Sequence, residues 1–242
     1  MKKNLLFLCL TIAFAQPTSA KQQLPRTGDL VHKTMPLEIH QPAFPVGSLT
    51  VICGSMCSGK SEEIIRLVGR FILAGFDVLA FKPAIDNRKL LHLDQDPLTY
   101  IPSRNGSWVE CIPARNSQEI TDIIANSNAT VIAIDEVHFF TQESELFIEL
   151  ICNLIKSGKK VILAGLDLNF RGEPFGPMPA LLAYADSVIK LNAICSVCGS
   201  DTYCITQRLV DGKPAHYNDP LIVVGSTQYE PRCRKCHIIL KD

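Results

Sequence analysis

The chain has 242 residues, enough for one large domain or one domain with a small appendage. Its 47% hydrophobic and 20% charged residues, with 15 Pro and 14 Gly, exclude wholesale disorder and a fibrous chain. Twenty-four basic side chains balance 24 acidic ones, so no broad field attracts a polyanion and any phosphate or nucleic acid must be held by a local arrangement.

In chain order, Lys2 and Lys3 precede an apolar run from Leu5 to Ala15 and then Thr18-Ser-Ala20, a pattern that resembles a secretory signal. The run is too short to span a bilayer as a helix. Residues 21–46 carry Pro25, Pro36, Pro42 and Pro45 without periodicity and read as a disordered linker, with Met35 as an alternative first residue. From Ser48 short apolar runs alternate with helical stretches. Strands are expected at Ser48–Cys53, Asp77–Phe81, Val131–Ile134, Val161–Ala164 and Ser187–Leu191. Helices are expected at Glu62–Ala74, from Asn116 to about Ser127, at Gln142–Lys156 and at Pro179–Tyr184. Asn116 with Glu119 forms a capping-box pattern. Residues 83–115 are irregular and read as a loop or short hairpin. Strand alternating with helix predicts an α/β fold whose parallel sheet carries helices on both faces, over residues 47–191, followed by a small unit at 192–242.

Gly54, Ser55, Met56, Cys57, Ser58, Gly59, Lys60 and Ser61 fit G-x-x-x-x-G-K-[ST] between a strand and a helix, the context this pattern requires. Glycines let successive N–H groups approach phosphate oxygens, and the following helix presents its positive end to the same charge. Lys60 is then placed to reach the β- and γ-phosphates of ATP, and the Ser61 hydroxyl to ligate Mg²⁺. Val131-Ile-Ala-Ile-Asp135 ends a buried strand in a carboxylate suited to Mg²⁺, and the adjacent Glu136 suits a base for a departing hydroxyl proton. Residue type alone does not separate transfer to a substrate alcohol from transfer to water.

Cys195-Ser-Val-Cys198 and Cys233-Arg-Lys-Cys236 give two C-x2-C pairs with 34 residues between them, the ligand set of a structural zinc ion with no open position. A redox pair or two disulfides is the competing reading. His237 adjoins the last cysteine and could substitute for it as a ligand, but a surface residue is the preferred reading. A zinc ribbon raises the possibility of nucleic-acid binding. From Asn192 onward, however, Arg208, Lys213, Arg232, Arg234, Lys235 and Lys241 oppose Asp201, Asp211, Asp219, Glu230 and Asp242, and six against five is no basic patch.

Together, the phosphate loop, Ile134-Asp-Glu-Val-His-Phe-Phe140, Gly165-Leu-Asp-Leu-Asn-Phe-Arg-Gly-Glu-Pro-Phe-Gly176 and the cysteine pairs resemble the type II thymidine kinases, from about Gly47 to His237. The resemblance implies that Lys60, Ser61 and Asp135 handle MgATP, that Glu136 takes the proton of the nucleoside 5′-hydroxyl, and that Asp86 and Arg88 face the phosphates. It implies a thymine pocket of Met56, Phe139, Leu166, Phe170 and Phe175, closed by a zinc-pinned lasso through Thr206, Ile222 and Tyr229. It further implies thymidine and ATP as partners, deoxyuridine as a weaker substrate, a homotetramer and inhibition by the end-product triphosphate. No nucleic-acid or membrane partner is expected. His138 stands where many members have glutamine and reads as a hydrogen-bond partner beside the site or, the preferred reading, as a packed neutral histidine. Zinc thiolates and ATP argue for a cytoplasmic protein despite the signal-like start. The competing function is a P-loop ATPase that acts on nucleic acid through the zinc ribbon.

Overall fold

The inner strands of the main sheet are apolar on both sides because both sides are covered. The computed structural model describes residues 46–89, 95–224 and 229–241, so the readings of the signal-like segment and of the linker up to residue 45 lie outside the described residues. Strands β1 (Ser48–Cys53) and β2 (Val78–Pro83) are followed by a hairpin of β3 (Tyr100–Pro102) and β4 (Trp108–Glu110). Then come β5 (Ile112–Ala114), β6 (Val131–Ile134), β7 (Lys160–Gly165) and β8 (Ser187–Lys190). All but the hairpin join one six-stranded parallel sheet in the order β5-β2-β6-β7-β1-β8.

The helices are α1 (Lys60–Leu73), α2 (Ser117–Ala125), α3 (Ser144–Lys156) and α4 (Met178–Tyr184). Leu49, Val51, Ile132 and Leu163 pack with Ile120 of α2, Phe147 and Ile151 of α3 and Leu181 of α4. Ile52, Ala133 and Ile162 belong to a second cluster with Ile64 and Val68 of α1 and with Ile101 and Val109 of the hairpin. Full burial of each such side chain contributes about 1.5–3 kcal/mol, so the two clusters hold α1 and the other helices to their separate sides of the sheet.

The expected strands at Ser48–Cys53 and Val131–Ile134 form with those bounds. The helix expected from Gln142 instead opens at Ser144, after a 3₁₀ segment at Val137–Glu143 that follows a left-handed residue, Glu136. The irregular stretch 83–115 contains the hairpin and also β5, an edge strand in which Lys82 of β2 lies opposite Pro113. Proline has no N–H to give and is tolerated at such an edge. Only half of the capping box forms. Asn116 Oδ1 accepts from the Glu119 N–H at 2.9 Å, whereas Glu119 Oε2 accepts from Arg115 N–H at 2.8 Å rather than from Asn116.

After β8 the chain builds a second, antiparallel sheet of β9 (Cys204–Val210), β10 (Lys213–Pro214) and β11 (Tyr229–Cys233), in the order β10-β9-β11. Its register sets Cys204 opposite Cys233. Among the described residues no helix is long and apolar enough to cross a membrane. In the main sheet β7 lies between β1 and β6, so the carboxyl ends of three neighbouring strands open toward one place, where open parallel sheets bind ligands.

Candidate active site

The loop between β1 and α1 owes its path to two glycines. Gly54 has φ +145, and a Cβ there would sit 2.3 Å from the Leu191 carbonyl oxygen; Gly59 has φ +86 and caps α1. Lys60 is buried, and its Nζ donates to the Ser55 carbonyl at 2.8 Å. Burial pulls its pKa below the ordinary lysine range against the opposing pull of Glu136 and Asp135.

The Ser61 hydroxyl donates to Asp135 Oδ2 at 3.1 Å, which brings the loop and the end of β6 together. Asp135 is fully buried. Its pKa is pushed up to about 6, by burial first and by the Glu136 charge next. Glu136 adopts φ +51 and ψ +39, a conformation that costs a non-glycine residue of order 1–3 kcal/mol. Its N–H donates to Asp135 Oδ1 at 2.9 Å, so the two carboxylates diverge from one tight turn.

Arg88 ties these groups together. Its Nε and Nη2 donate to Asp86 Oδ1 and Oδ2 at 2.7 and 2.8 Å, and Nη2 also lies 2.9 Å from Glu136 Oε1 and 3.4 Å from Asp135 Oδ2. Burial works to raise the Asp86 pKa, but the guanidinium outweighs it and holds the carboxyl below the usual carboxylate range.

The loop residues Met56 to Ser61, with Asp86, Arg88 and Glu136, line a cleft of about 700 Å³. Phe139, Leu166, Phe170, Phe175, Thr206, Ile222 and Tyr229 line the same cleft, so the residues assigned to nucleotide and to base meet in one space. Gly54, Ser55 and Asp135 do not line it; they support residues that do. Thr206 Oγ1 accepts from the Met56 N–H at 3.0 Å, which bonds β9 to the phosphate loop. The Tyr229 hydroxyl donates to the Val223 carbonyl at 2.7 Å and ties the two described ends of the lasso to each other. The Arg171 and Arg208 guanidinium groups stand 5.4 and 5.5 Å from the Phe170 ring centroid. Both Phe170 and Phe175 are buried as well as cleft-lining, so core packing and binding are not alternatives here.

His138 Nδ1 accepts from the Leu166 N–H at 3.1 Å, which leaves the ring proton on Nε2. Burial lowers its pKa to about 4, and the ring packs against Phe139 and Phe175 with centroids 4.3 and 4.8 Å away. The histidine is packed and neutral as expected, and it also orients Leu166.

Two groups had no role in the sequence reading. Asp167, buried just past β7, accepts at Oδ2 from the Tyr203 hydroxyl at 2.8 Å and pairs with Lys190 Nζ at 3.0 Å, joining the sheet to the C-terminal unit. Its signal was a carboxylate just after a buried strand, the same signal that marked Asp135. Lys82 is fully buried, and nothing in the sequence distinguished it from a loop lysine.

The sulfurs of Cys195, Cys198, Cys233 and Cys236 all lie within 4.8 Å of one another, with 3.7 Å between those of Cys198 and Cys233. A tetrahedral zinc with Zn–S of about 2.3 Å requires sulfurs about 3.8 Å apart, so the tetrad fits that ion. Main-chain N–H groups, that of Cys233 first, hold the Cys195 thiol down to about 6, which favours the thiolate a metal needs. All described cysteines are free thiols, which overturns the disulfide reading. His237 is not a surface residue. It is half-buried, and its Nε2 lies 2.9 Å from the Phe170 carbonyl, so it fastens the zinc knuckle to the cleft wall.

The thymidine kinase family model matches residues 47–237 of the chain. Among solved structures, the flagellar accessory protein FlaH from Methanocaldococcus jannaschii is similar at 16% identity, over 61% of this chain and 72% of that one, with a TM-score of 0.43; a likeness of that size carries no functional argument.

Proposed function

Because the chain belongs to the thymidine kinase family, we propose that it transfers the γ-phosphate of ATP to the 5′-hydroxyl of thymidine, giving ADP and dTMP. The observation that carries this reading is the single cleft whose wall includes the phosphate loop, Glu136 and the aromatic pocket. Main-chain amides of residues 54–61 and Lys60 hold the triphosphate. The Ser61 hydroxyl and Asp135 carboxylate, already in contact, are the donors for Mg²⁺, which when bound neutralises charge on the phosphates.

Glu136 accepts the 5′-hydroxyl proton as the O5′–Pγ bond forms and the bond from Pγ to the β-phosphate oxygen breaks. Arg88 occupies Oε1. Oε2 lies 3.4 Å from His138 Nδ1, whose lone pair is taken by the Leu166 N–H, so His138 offers it no proton. That leaves Oε2 as the acceptor. A pyrimidine gains from contact with Phe139, Leu166, Phe170 and Phe175, while main-chain groups of the lasso satisfy its polar edge. Deoxyuridine, lacking only a methyl group, is a weaker substrate. Zinc holds the cysteine pairs at both ends of the lasso. The nucleic-acid ATPase reading lacks support from the C-terminal cations, since Arg208 stacks on Phe170 and Arg232 pairs with Glu230. Four thiolates and ATP suit the cytoplasm, and the family resemblance supports a homotetramer.

The test is transfer of labelled γ-phosphate to thymidine, deoxycytidine and water in parallel. Label is expected in dTMP, and label found only in inorganic phosphate would remove the kinase reading. The raised Asp135 pKa also has a definite sign. Between the ordinary aspartate value and about 6 the folded protein binds more protons than the unfolded chain, so stability falls as pH rises through that window. Asp135→Asn is therefore expected to raise the Tm at neutral pH while abolishing Mg²⁺-dependent transfer. In the unmodified enzyme, kcat/KM is expected to fall as pH drops through about 6, with His138 contributing nothing at neutral pH because its own pKa lies near 4. Melting scans and a pH–rate profile check the two statements.

A further inference from the structure

Lys82 is fully buried in β2, and an ammonium there is costly unless it is compensated. Its Nζ donates to the Pro97 carbonyl at 2.6 Å, lies 3.8 Å from Asp86 Oδ2 and stands 5.8 Å from the Tyr100 ring centroid. The Cys111 thiol feels the same ammonium, but burial pushes it up to about 12 and it stays neutral.

From Lys82 the charges alternate toward the cleft. Asp86 engages both Nε and Nη2 of Arg88, and Arg88 in turn reaches Glu136 and Asp135. Lys60, Lys82 and Arg88 stand against Asp86, Asp135 and Glu136, three cations against three anions. Through Pro97 the same lysine grips the segment entering β3, whose hairpin puts Ser103 and Arg104 on the cleft wall.

We infer that Lys82 is a positioning residue for phosphoryl transfer: it fixes Asp86, Asp86 aims the Arg88 fork, and Arg88 sets the Glu136 carboxylate, an inference that rests on the transfer reading above. Lys82→Met is expected to lower kcat with thymidine by about 10- to 100-fold, with thymidine KM changed less than about threefold, because the damage lies in alignment and not in base binding. A merely structural loss would not lower kcat while leaving the thymidine KM in place. Lys82→Arg keeps the charge and restores most of the rate. Combined with Asp86→Asn, Lys82→Met adds no further loss beyond Asp86→Asn alone, as expected when one residue acts through the other.

Should Lys82→Met not accumulate as folded, zinc-loaded protein, Lys82→Gln with Asp86→Asn removes both charges together and is compared with Asp86→Asn in its place. A thymidine KM that rises as far as kcat falls, a Lys82→Arg variant no faster than Lys82→Met, or a double variant slower than Asp86→Asn overturns the inference. A wild-type protein that passes label only to water sinks the transfer reading and this inference with it. A wild-type protein that transfers, with Lys82→Met matching its rate, sinks the inference alone.

Discussion

Glu136→Gln is expected to lower kcat for thymidine phosphorylation by about 10²- to 10⁴-fold, the range a positioned general base contributes. Glutamine keeps the size of the side chain and its contact with the Arg88 Nη2, which sits 2.9 Å from Oε1. It replaces the proton-accepting oxygen with a group that cannot take the hydroxyl proton. Dissociation constants for thymidine and MgATP, read by calorimetry, should therefore change little while single-turnover transfer collapses. Turnover that survives undiminished would take Glu136 out of its role. The left-handed backbone at Glu136 sharpens this expectation. A strained residue is retained where its direction is needed, and substitution by Gly, which relaxes the strain, should raise Tm while removing the base.

The second large effect concerns the metal. Cys233→Ser, or exhaustive chelation, is expected to abolish thymidine transfer, because structural zinc contributes on the order of 10–16 kcal/mol to the folding of such units. Few buried apolar residues hold this end of the chain. The cluster around the tetrad contains Ala193, Cys195, Cys204 and Cys233, with only Cys236 packed against it, far less than either face of the main sheet. Loss of the ion should release β9 and β11, and with them Thr206 and Tyr229 of the cleft wall. The α/β portion has its own core, so the zinc-free protein should still bind a fluorescent ATP analogue, though more weakly because the Thr206 bond to the Met56 amide is lost. Full thymidine turnover in protein shown by metal analysis to be zinc-free would end the structural role of the tetrad.

Most sheet strands, the phosphate loop and the cysteine tetrad were readable from the chain because each depends on local pattern: a short apolar run, a glycine five positions before Gly59-Lys60-Ser61, or two cysteines three positions apart. What escaped depends on contacts distant in sequence. β5 is three residues long and contains Pro113, and it becomes a strand only because Phe81, Lys82 and Pro83 lie alongside it. Lys82 precedes a proline and an irregular stretch, which reads as solvent; it is buried because Pro97 and Tyr100 close over it. Asp167 lies inside a motif that was quoted for its aromatics, and its role appears only when Tyr203, 36 positions later, meets it. The neutral state of His138 follows from its burial, and its tautomer from the Leu166 amide, a partner 28 positions away.

The contact between the Thr206 hydroxyl and the Met56 amide bears on any attempt to redesign this protein for bulky or unnatural bases. The residue that an engineer would trim to widen the pocket is also the clasp on a main-chain group of the triphosphate cradle. Opening room for a larger analogue at that position loosens the donor site in the same stroke, so broadened scope and tight ATP use are expected to trade against each other unless a hydroxyl is kept there, as serine would.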